Sequence, residues 1–396
     1  MGVKDLGDLN SAGSGACVRA LFAAVLAAAP LHAGADGPLS LDFRALADQN
    51  LAGLEQLPDL DADGYGELAW GTSYGMMALD VLYEATGDTK YLDTQVRVIE
   101  EVLTRRDSDL AARFGAERYV DYQRGRVLQA WGTGHYSDGK HTCWAVHTGM
   151  LAYPMAEFVR IVRRGGAGLL PYREKAETFL PKIEAALREF DAEWRGGPEE
   201  GMGYYVFPGG AILPNNQMNA PGRALFVLGD LTGEREYRDK ARKLAAFFSS
   251  KLTYAAEKDC YFWAYSQGKP EGPPGTGEDV SHAAINASFA YIAWEHHASF
   301  DDAGMQRLAR TVTKGVNLGN GQLAATLGGS KPNDGLTAQI GRWGFLARFD
   351  PEVERVVCEY VAAHPKAGAL AGTTGALGYA YLLRARALRD RDEANR

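Results

Sequence analysis

Two stretches of this chain read alike. LYEATGDTKYLD (82–93) and LGDLTGEREYRD (228–239) align without a gap, and Leu82/Leu228, Thr86/Thr232, Gly87/Gly233, Tyr91/Tyr237 and Asp93/Asp239 fall at matching offsets. A glycine after such a segment ends one helix in a left-handed turn, and the tyrosine behind it anchors the start of the next. Each copy therefore reads as the corner of an αα-hairpin. Hairpins repeated along a chain must stack on one another to bury their apolar faces.

The rest of the sequence agrees with that constraint. Apolar residues recur at helical spacing over 73–86, 95–103, 145–162, 174–190, 222–231, 239–252, 282–297 and 304–316. AQIGRWGFLARF (338–349), EVERVVCEYVAA (352–363) and GALGYAYLLRARAL (375–388) continue the pattern. Roughly six helix pairs follow from the short links between antiparallel neighbours. Extended candidates such as YFWAY (261–265) are short and isolated, which argues against a large sheet.

Helical hairpins joined by Thr-Gly corners of this kind resemble the (α/α) toroids of carbohydrate-active enzymes. The resemblance implies an all-α, (α/α)6-type toroid of six or seven helical hairpins with few short strands. An outer ring of helices wraps an inner one, and a substrate cleft lies at one mouth. A single catalytic toroid is expected over 36–396. The corner motif recurs in glycosidases, lyases and epimerases, so it speaks for architecture and leaves the activity open.

Ahead of that domain, Arg19 precedes an apolar run from Leu21 to Leu31, and AGA at 33–35 fits a small-residue cleavage site. Residues 1–35 read as a signal peptide, which predicts a periplasmic or secreted protein. The apolar run is too short to span a membrane, so no membrane insertion is expected. With the leader removed, Cys143, Cys260 and Cys358 remain, a sparse odd set unlike a disulfide framework. The formal charge is -8, from 42 basic and 50 acidic residues, with no basic stripe. That balance argues against nucleic acid as a partner. An acidic polysaccharide or oligosaccharide can still bind, through a local cationic cleft. Nothing in the sequence speaks to oligomeric state.

Toroid corners are tight, so long loops are where a site belongs. Three qualify, at 108–141, 196–219 and 254–281, and each leads into a candidate inner helix. The second ends in LPNNQMNAPGRAL, where Asn215, Asn216 and Asn219 surround a helix start and Arg223 follows. Free helix N–H groups with amide donors suit a carboxylate; loop capping is the plainer reading of the same residues. The third ends in EDVSHAAIN. Capping accounts for Asp279 and Ser281, but His282 and Asn286 share one helix face beyond it. A histidine in the first turn feels the positive helix end, which favours the neutral imidazole that a general base requires. The first loop ends in GHYSDGKHTCWAVHTG, where Trp144 and His147 are substrate-lining candidates. Cys143 and His147 stand four apart, a spacing zinc tolerates, but no CxxC or HExxH motif accompanies them. No metal and no cofactor are expected. Tyr205 and Trp263, with Tyr265, are aromatics able to stack on sugar or donate a proton, though aromatics are more often core.

This assortment resembles the working set of toroid lyases for alginate, glucuronan and related polymers. Such an enzyme removes the C5 proton beside a sugar carboxylate and expels the C4 oxygen. The resemblance implies Asn216, with Arg223 or Arg342, neutralising the carboxylate. It implies His282 as base or neutraliser, and Tyr265 or Tyr205 as acid. Asn215, Asn219, Trp144, His147, Trp263 and Glu278 would line the substrate. A glycoside hydrolase, a uronyl C5-epimerase and a non-catalytic glycan-binding toroid are the alternatives. A hydrolase needs two flanking carboxyl groups, which the adjacent Glu278 and Asp279 do not supply alone.

Overall fold

The computed structural model describes residues 41–58, 66–266, 277–365 and 370–394. The expected signal peptide and the middle of the glycine-proline loop, 267–276, lie outside these residues. Thirteen α-helices occur among them. They are α1 (Phe43–Leu51), α2 (Ser73–Thr86), α3 (Lys90–Leu103), α4 (Asp107–Phe114), α5 (Ala145–Arg164), α6 (Leu170–Arg188) and α7 (Asn215–Thr232). Then follow α8 (Arg235–Ser249), α9 (Val280–Glu295), α10 (Asp302–Arg310), α11 (Asp334–Thr337), α12 (Glu352–Ala363) and α13 (Gly372–Ala394).

The two repeated corners have the same geometry. Gly87 and Gly233 are left-handed, with φ of 72° and 75°, and each N–H donates to the carbonyl four residues back. The preceding threonine repeats too: Thr86 donates to the Leu82 carbonyl at 2.6 Å and Thr232 to that of Leu228 at 2.8 Å. Each hydroxyl also accepts from the residue after the glycine. The corner tyrosines then reach sideways. Tyr91 donates to Asp48 on α1 at 2.9 Å, and Tyr237 to Glu184 on α6 at 3.0 Å. Each repeat thus turns the chain and ties its second helix to an outer neighbour.

Helices α2, α5, α7 and α9, the 3₁₀ helix Ile340–Arg348, and α13 pack each on the next, and α13 returns to α2. Six inner elements therefore close a ring. Helices α3, α6, α8, α10, α12 and α1 back them from outside, in the same order. Burial follows this division. In α9 every residue from Ala283 to Ala293 is buried, as an element enclosed on all sides requires. In α3 burial is confined to one stripe of Tyr91, Leu92, Gln95, Val98, Ile99 and Val102–Leu103. The chain is an (α/α) toroid of six pairs.

Four two-stranded antiparallel hairpins complete it. They are β1–β2 (Gly132–Thr133, Thr142–Cys143), β3–β4 (Trp194–Gly196, Gly203–Tyr205), β5–β6 (Thr253–Ala255, Cys260–Phe262) and β7–β8 (Asn317–Gly319, Gln322–Leu323). Each lies on the approach to the N-terminal end of an inner element. Backbone bonds link these approaches: Asn215 N–H to the Tyr265 carbonyl at 3.1 Å, Glu278 N–H to that of Trp263 at 2.9 Å, and Val280 N–H to that of Ala325 at 2.9 Å. One mouth of the toroid is built from them.

Two segments depart from the expected α-helix. Residues 340–348 wind as a 3₁₀ helix, in which Gly341 and Gly344 lie directly against Gly378 of α13. The narrower helix suits that close approach. The run 304–316 ends as α-helix at Arg310 and continues through a wider i→i+5 turn, Thr311–Val316.

The tightest inner contact is between α5 and α7. A Cβ on Gly149 would stand 2.2 Å from the Pro221 nitrogen, against backbone that cannot yield. Gly149→Ala is expected to destabilise the protein by about 1–3 kcal/mol. Urea denaturation checks this as a lower midpoint with unchanged slope.

Candidate active site

The mouth is held by a cap. Asp279 precedes α9 and its Oδ1 accepts from the N–H groups of Ser281 at 2.9 Å and His282 at 3.0 Å. Its Oδ2 faces His282 Nδ1 at 2.5 Å. Burial works to raise the Asp279 carboxyl, but the His282 contacts prevail and hold it below the usual aspartate range. An ionised Asp279 accepts the Nδ1 proton and leaves the lone pair on His282 Nε2. The His282 side chain is 29% exposed, so this nitrogen is open to a ligand. One carboxylate thus caps a helix and orients an imidazole.

Tyr265 lies against the same imidazole, with ring centroids 5.3 Å apart. Gln217 donates to its hydroxyl at 3.4 Å. Burial pushes the phenol up to about 12, so it keeps its proton at neutral pH.

Behind these two groups runs a buried chain of amides. Trp263 and Asn286 both donate to Glu278 Oε2, the latter at 2.6 Å. Asn219 donates to Asn286 Oδ1 at 2.7 Å, and Asn215 to the Ala264 carbonyl at 2.8 Å. Glu278 is 1% exposed, and burial with the adjacent Asp279 charge drives its carboxyl well above the normal glutamate range. Asn216 is buried too, and its Oδ1 has no partner among the described residues. Arg342 joins the group from the 3₁₀ helix, donating to Ser281 Oγ at 2.6 Å, to the Ser281 carbonyl at 2.8 Å and to the Tyr74 hydroxyl.

A second wall stands at the start of α5. His147 is buried, meets Trp70 edge-on at 5.2 Å and Tyr136 at 5.8 Å, and its Nε2 is unpartnered. Trp144 caps α5 without a side-chain bond and packs edge-on against Phe207. Burial, with a lesser push from His135, lowers His147 to about 3. Among the described residues no group of three His, Cys, Asp or Glu is arranged to hold a metal. Cys143 turns its thiol to Asp107, which also meets His141 at 2.7 Å.

The structure therefore brings His282, Tyr265, Asn215, Asn216, Asn219, Trp263, Glu278 and Arg342 together at the starts of α7 and α9. Arg223 sits deeper, in the third turn of α7. Tyr205 is elsewhere: its buried ring packs on Trp194 at 5.0 Å, beside Asp191, Glu193 and Glu236, toward the outer helices. Trp70 and Tyr74 were not singled out from sequence. Both lie in GELAWGTSY (66–74), where glycine and aromatics lead into an inner helix as they do in the three long loops.

The sequence matches no known family profile and no curated protein. Among solved structures, the chain is similar to an inactive variant of the α-1,6-mannanase GH76A of Salegentibacter sp. HEL1_6, bound to α-1,6-mannotetrose. The TM-score is 0.50 at 14% identity, covering 88% of this chain and 100% of that one. The likeness is one of fold. The unsaturated glucuronyl hydrolase of Bacillus sp. GL1 gives a TM-score of 0.49 at 14% identity, covering 86% of this chain and 96% of that one. For the cellobiose 2-epimerase of Bacillus thermoamylovorans B4167 the values are 0.48, 14%, 82% and 87%.

His147 generates a pH prediction. Its folded value, about 3, lies below the usual histidine value of about 6.5. Between these the unfolded chain binds the extra proton, so stability falls as pH drops through that window, by up to about 1.4 kcal/mol per unit. Asp279 adds a loss of the same sign at the acid end. His147→Gln is expected to flatten the His147 part, seen as a smaller drop in melting temperature between pH 7 and pH 5 than in the wild type.

Proposed function

We propose that this chain is a carbohydrate-active enzyme that moves a proton at a sugar carbon beside a carboxylate, with His282 as base and Tyr265 as acid. The observation that carries the reading is the Asp279–His282 pair with Tyr265 packed on the imidazole. A carboxylate-oriented histidine and a protonated tyrosine, both at a cleft mouth, are the two groups such a reaction requires. The C5 proton of a uronate passes to His282 Nε2. Donors around the sugar carboxylate stabilise the charge that develops on it; Asn216, Asn219 and Arg342 are the residues we assign to this role. In β-elimination the C4–O bond breaks as the C4–C5 double bond forms, and Tyr265 protonates the departing oxygen. In epimerisation the C4 bond survives and a proton returns to the opposite face. A uronate-containing polysaccharide or oligosaccharide is the substrate, and an export leader at 1–35 would place the enzyme in the periplasm or outside the cell.

Glycoside hydrolysis is the second reading, and two observations favour it. Glu278, its carboxyl driven up by burial, stands next to Asp279, whose carboxyl the His282 contacts hold down. In the similar mannanase, the inactive variant has two consecutive aspartates replaced. Against it, Glu278 is 1% exposed and its Oε2 is already engaged by Trp263 and Asn286.

The test is a panel of alginate, glucuronan and glycosaminoglycans, followed for the absorbance of unsaturated uronate, for new reducing ends and for solvent-proton exchange at C5. Absorbance supports elimination, and exchange without cleavage supports epimerisation. His282→Ala and Tyr265→Phe are then each expected to lower kcat by about 10²- to 10⁴-fold. Reducing ends without absorbance turn the reading to hydrolysis. Full activity in His282→Ala overturns the assignment of the base.

A further inference from the structure

The ring interior holds two arginines with no carboxylate. Arg223 is 2% exposed and Arg342 is 5% exposed. No Asp or Glu among the described residues forms an ion pair with either. Arg223 instead points one nitrogen at Met150 Sδ, 2.9 Å away, and another at Met77 Sδ, 3.8 Å away, with its guanidinium 4.8 Å from the Tyr153 ring centre. Its Nε, like that of Arg342, is buried without a partner among the described residues. Arg342 lies 4.7 Å from the Tyr74 ring centre and bonds only to hydroxyls and a carbonyl.

Their contacts locate both inside the ring. Arg223 of α7 touches α2 and α5, and Arg342 of the 3₁₀ helix touches α2 and α9; α2 neighbours neither parent element in the inner ring. Both side chains thus cross the interior. Arg223 feels Tyr153, Tyr381 and Tyr74, and also the like charge of Arg342. Carboxylates do exist farther along the ring interior, but none pairs with Arg223 or Arg342; Asp80 accepts from Gln95 at 3.1 Å, and its second oxygen has no partner among the described residues. Glu157 is bound by Arg160, and Glu84 by Arg160 and Arg384.

An arginine stays charged even when buried. Burying one such charge without a counter-ion costs several kcal/mol, and placing a second within its field adds repulsion. Thioether sulfur is a weak acceptor and does not offset this. Guanidinium N–H groups and tyrosine hydroxyls are, on the other hand, the donors that recognise oxyanions. We propose that Arg223 and Arg342, with Tyr74 between them, form an axial site for one anionic group: a small inorganic oxyanion or halide, or the carboxylate or sulfate head of an acidic sugar.

This deepens the proposed function, since a sugar carboxylate seated here would account for selectivity towards acidic glycans, but its test does not use turnover. Thermal melting is followed while sodium sulfate, sodium bromide or sodium glucuronate is titrated at constant ionic strength. The wild type is expected to show a saturable rise of about 2–4 °C, and Arg223→Met and Arg342→Met are expected to lose it. Saturation by sulfate or bromide identifies a free-anion site, and saturation by glucuronate alone means the anion arrives on the sugar. No saturable rise with any probe, or an equal rise in both variants, overturns the proposal. Should the variants fail to fold, bromide or glucuronate soaked into wild-type crystals decides: density between the two guanidinium groups supports the site, and its absence refutes it. The binding test can fail while the His282 assay succeeds, and the reverse, so the two readings fall separately.

Discussion

A helix with no polar face has nowhere to sit but inside something closed. Helix α9 is such a helix, and the inner helices α5 and α7 are buried almost as fully. Six inner elements satisfy one another by forming a ring, and each needs an outer helix to shield its remaining side. The outer helices can be polar on one face because that face covers no inner element. The corner glycines and threonines make the switch between these environments in a single turn. The tyrosines behind them fix how far each pair is rotated from the last.

That arrangement also explains why the candidate site residues gather at one mouth. In a ring of antiparallel pairs the inner helices all run the same way, so their N-terminal ends share one face. Four β-hairpins deliver the chain to those ends. Unsatisfied N–H groups at the starts of α7 and α9 call for acceptors. At α9 Asp279 meets that demand with one oxygen and orients His282 with the other. One carboxylate thus serves both the helix cap and the imidazole. Glu278, one residue earlier, does the opposite work: its buried acid is tied to Trp263 and Asn286 and fastens that segment to α9.

The architecture was legible because its signals are local. The Gly87 and Gly233 corners, the buried and striped helices, and the three long loops can all be read within a dozen residues. The third loop led to His282 because a histidine beside a cap, after glycine and proline, is itself a local pattern. What escaped depends on neighbours far along the chain. Residues 340–348 look α-helical until Gly378 presses on Gly341 and Gly344. Tyr205 and Tyr265 are alike in sequence, yet the β3–β4 register turns one toward Trp194 and the outer helices while the other meets His282. The β7–β8 hairpin carried a usable signal in Asn320-Gly321, both left-handed, with φ of 54° and 69°. The isolation of Arg223 was illegible, since nothing nearby reveals which carboxylates are already engaged.

The closure of the ring also bears on how the chain acquires it. Helix α2 leans on α13, and α1 lies across α13 with Arg386 4.1 Å from the Phe43 ring centre. The earliest described helices therefore wait for the last before their apolar faces are covered. Pairs such as α2–α3 and α7–α8 form from near neighbours, but the seam is a contact of maximal sequence separation, the slowest kind to find. During synthesis the growing toroid is an open arc with two sticky ends, prone to join the wrong chain, and helper proteins that shield such edges have their purpose there.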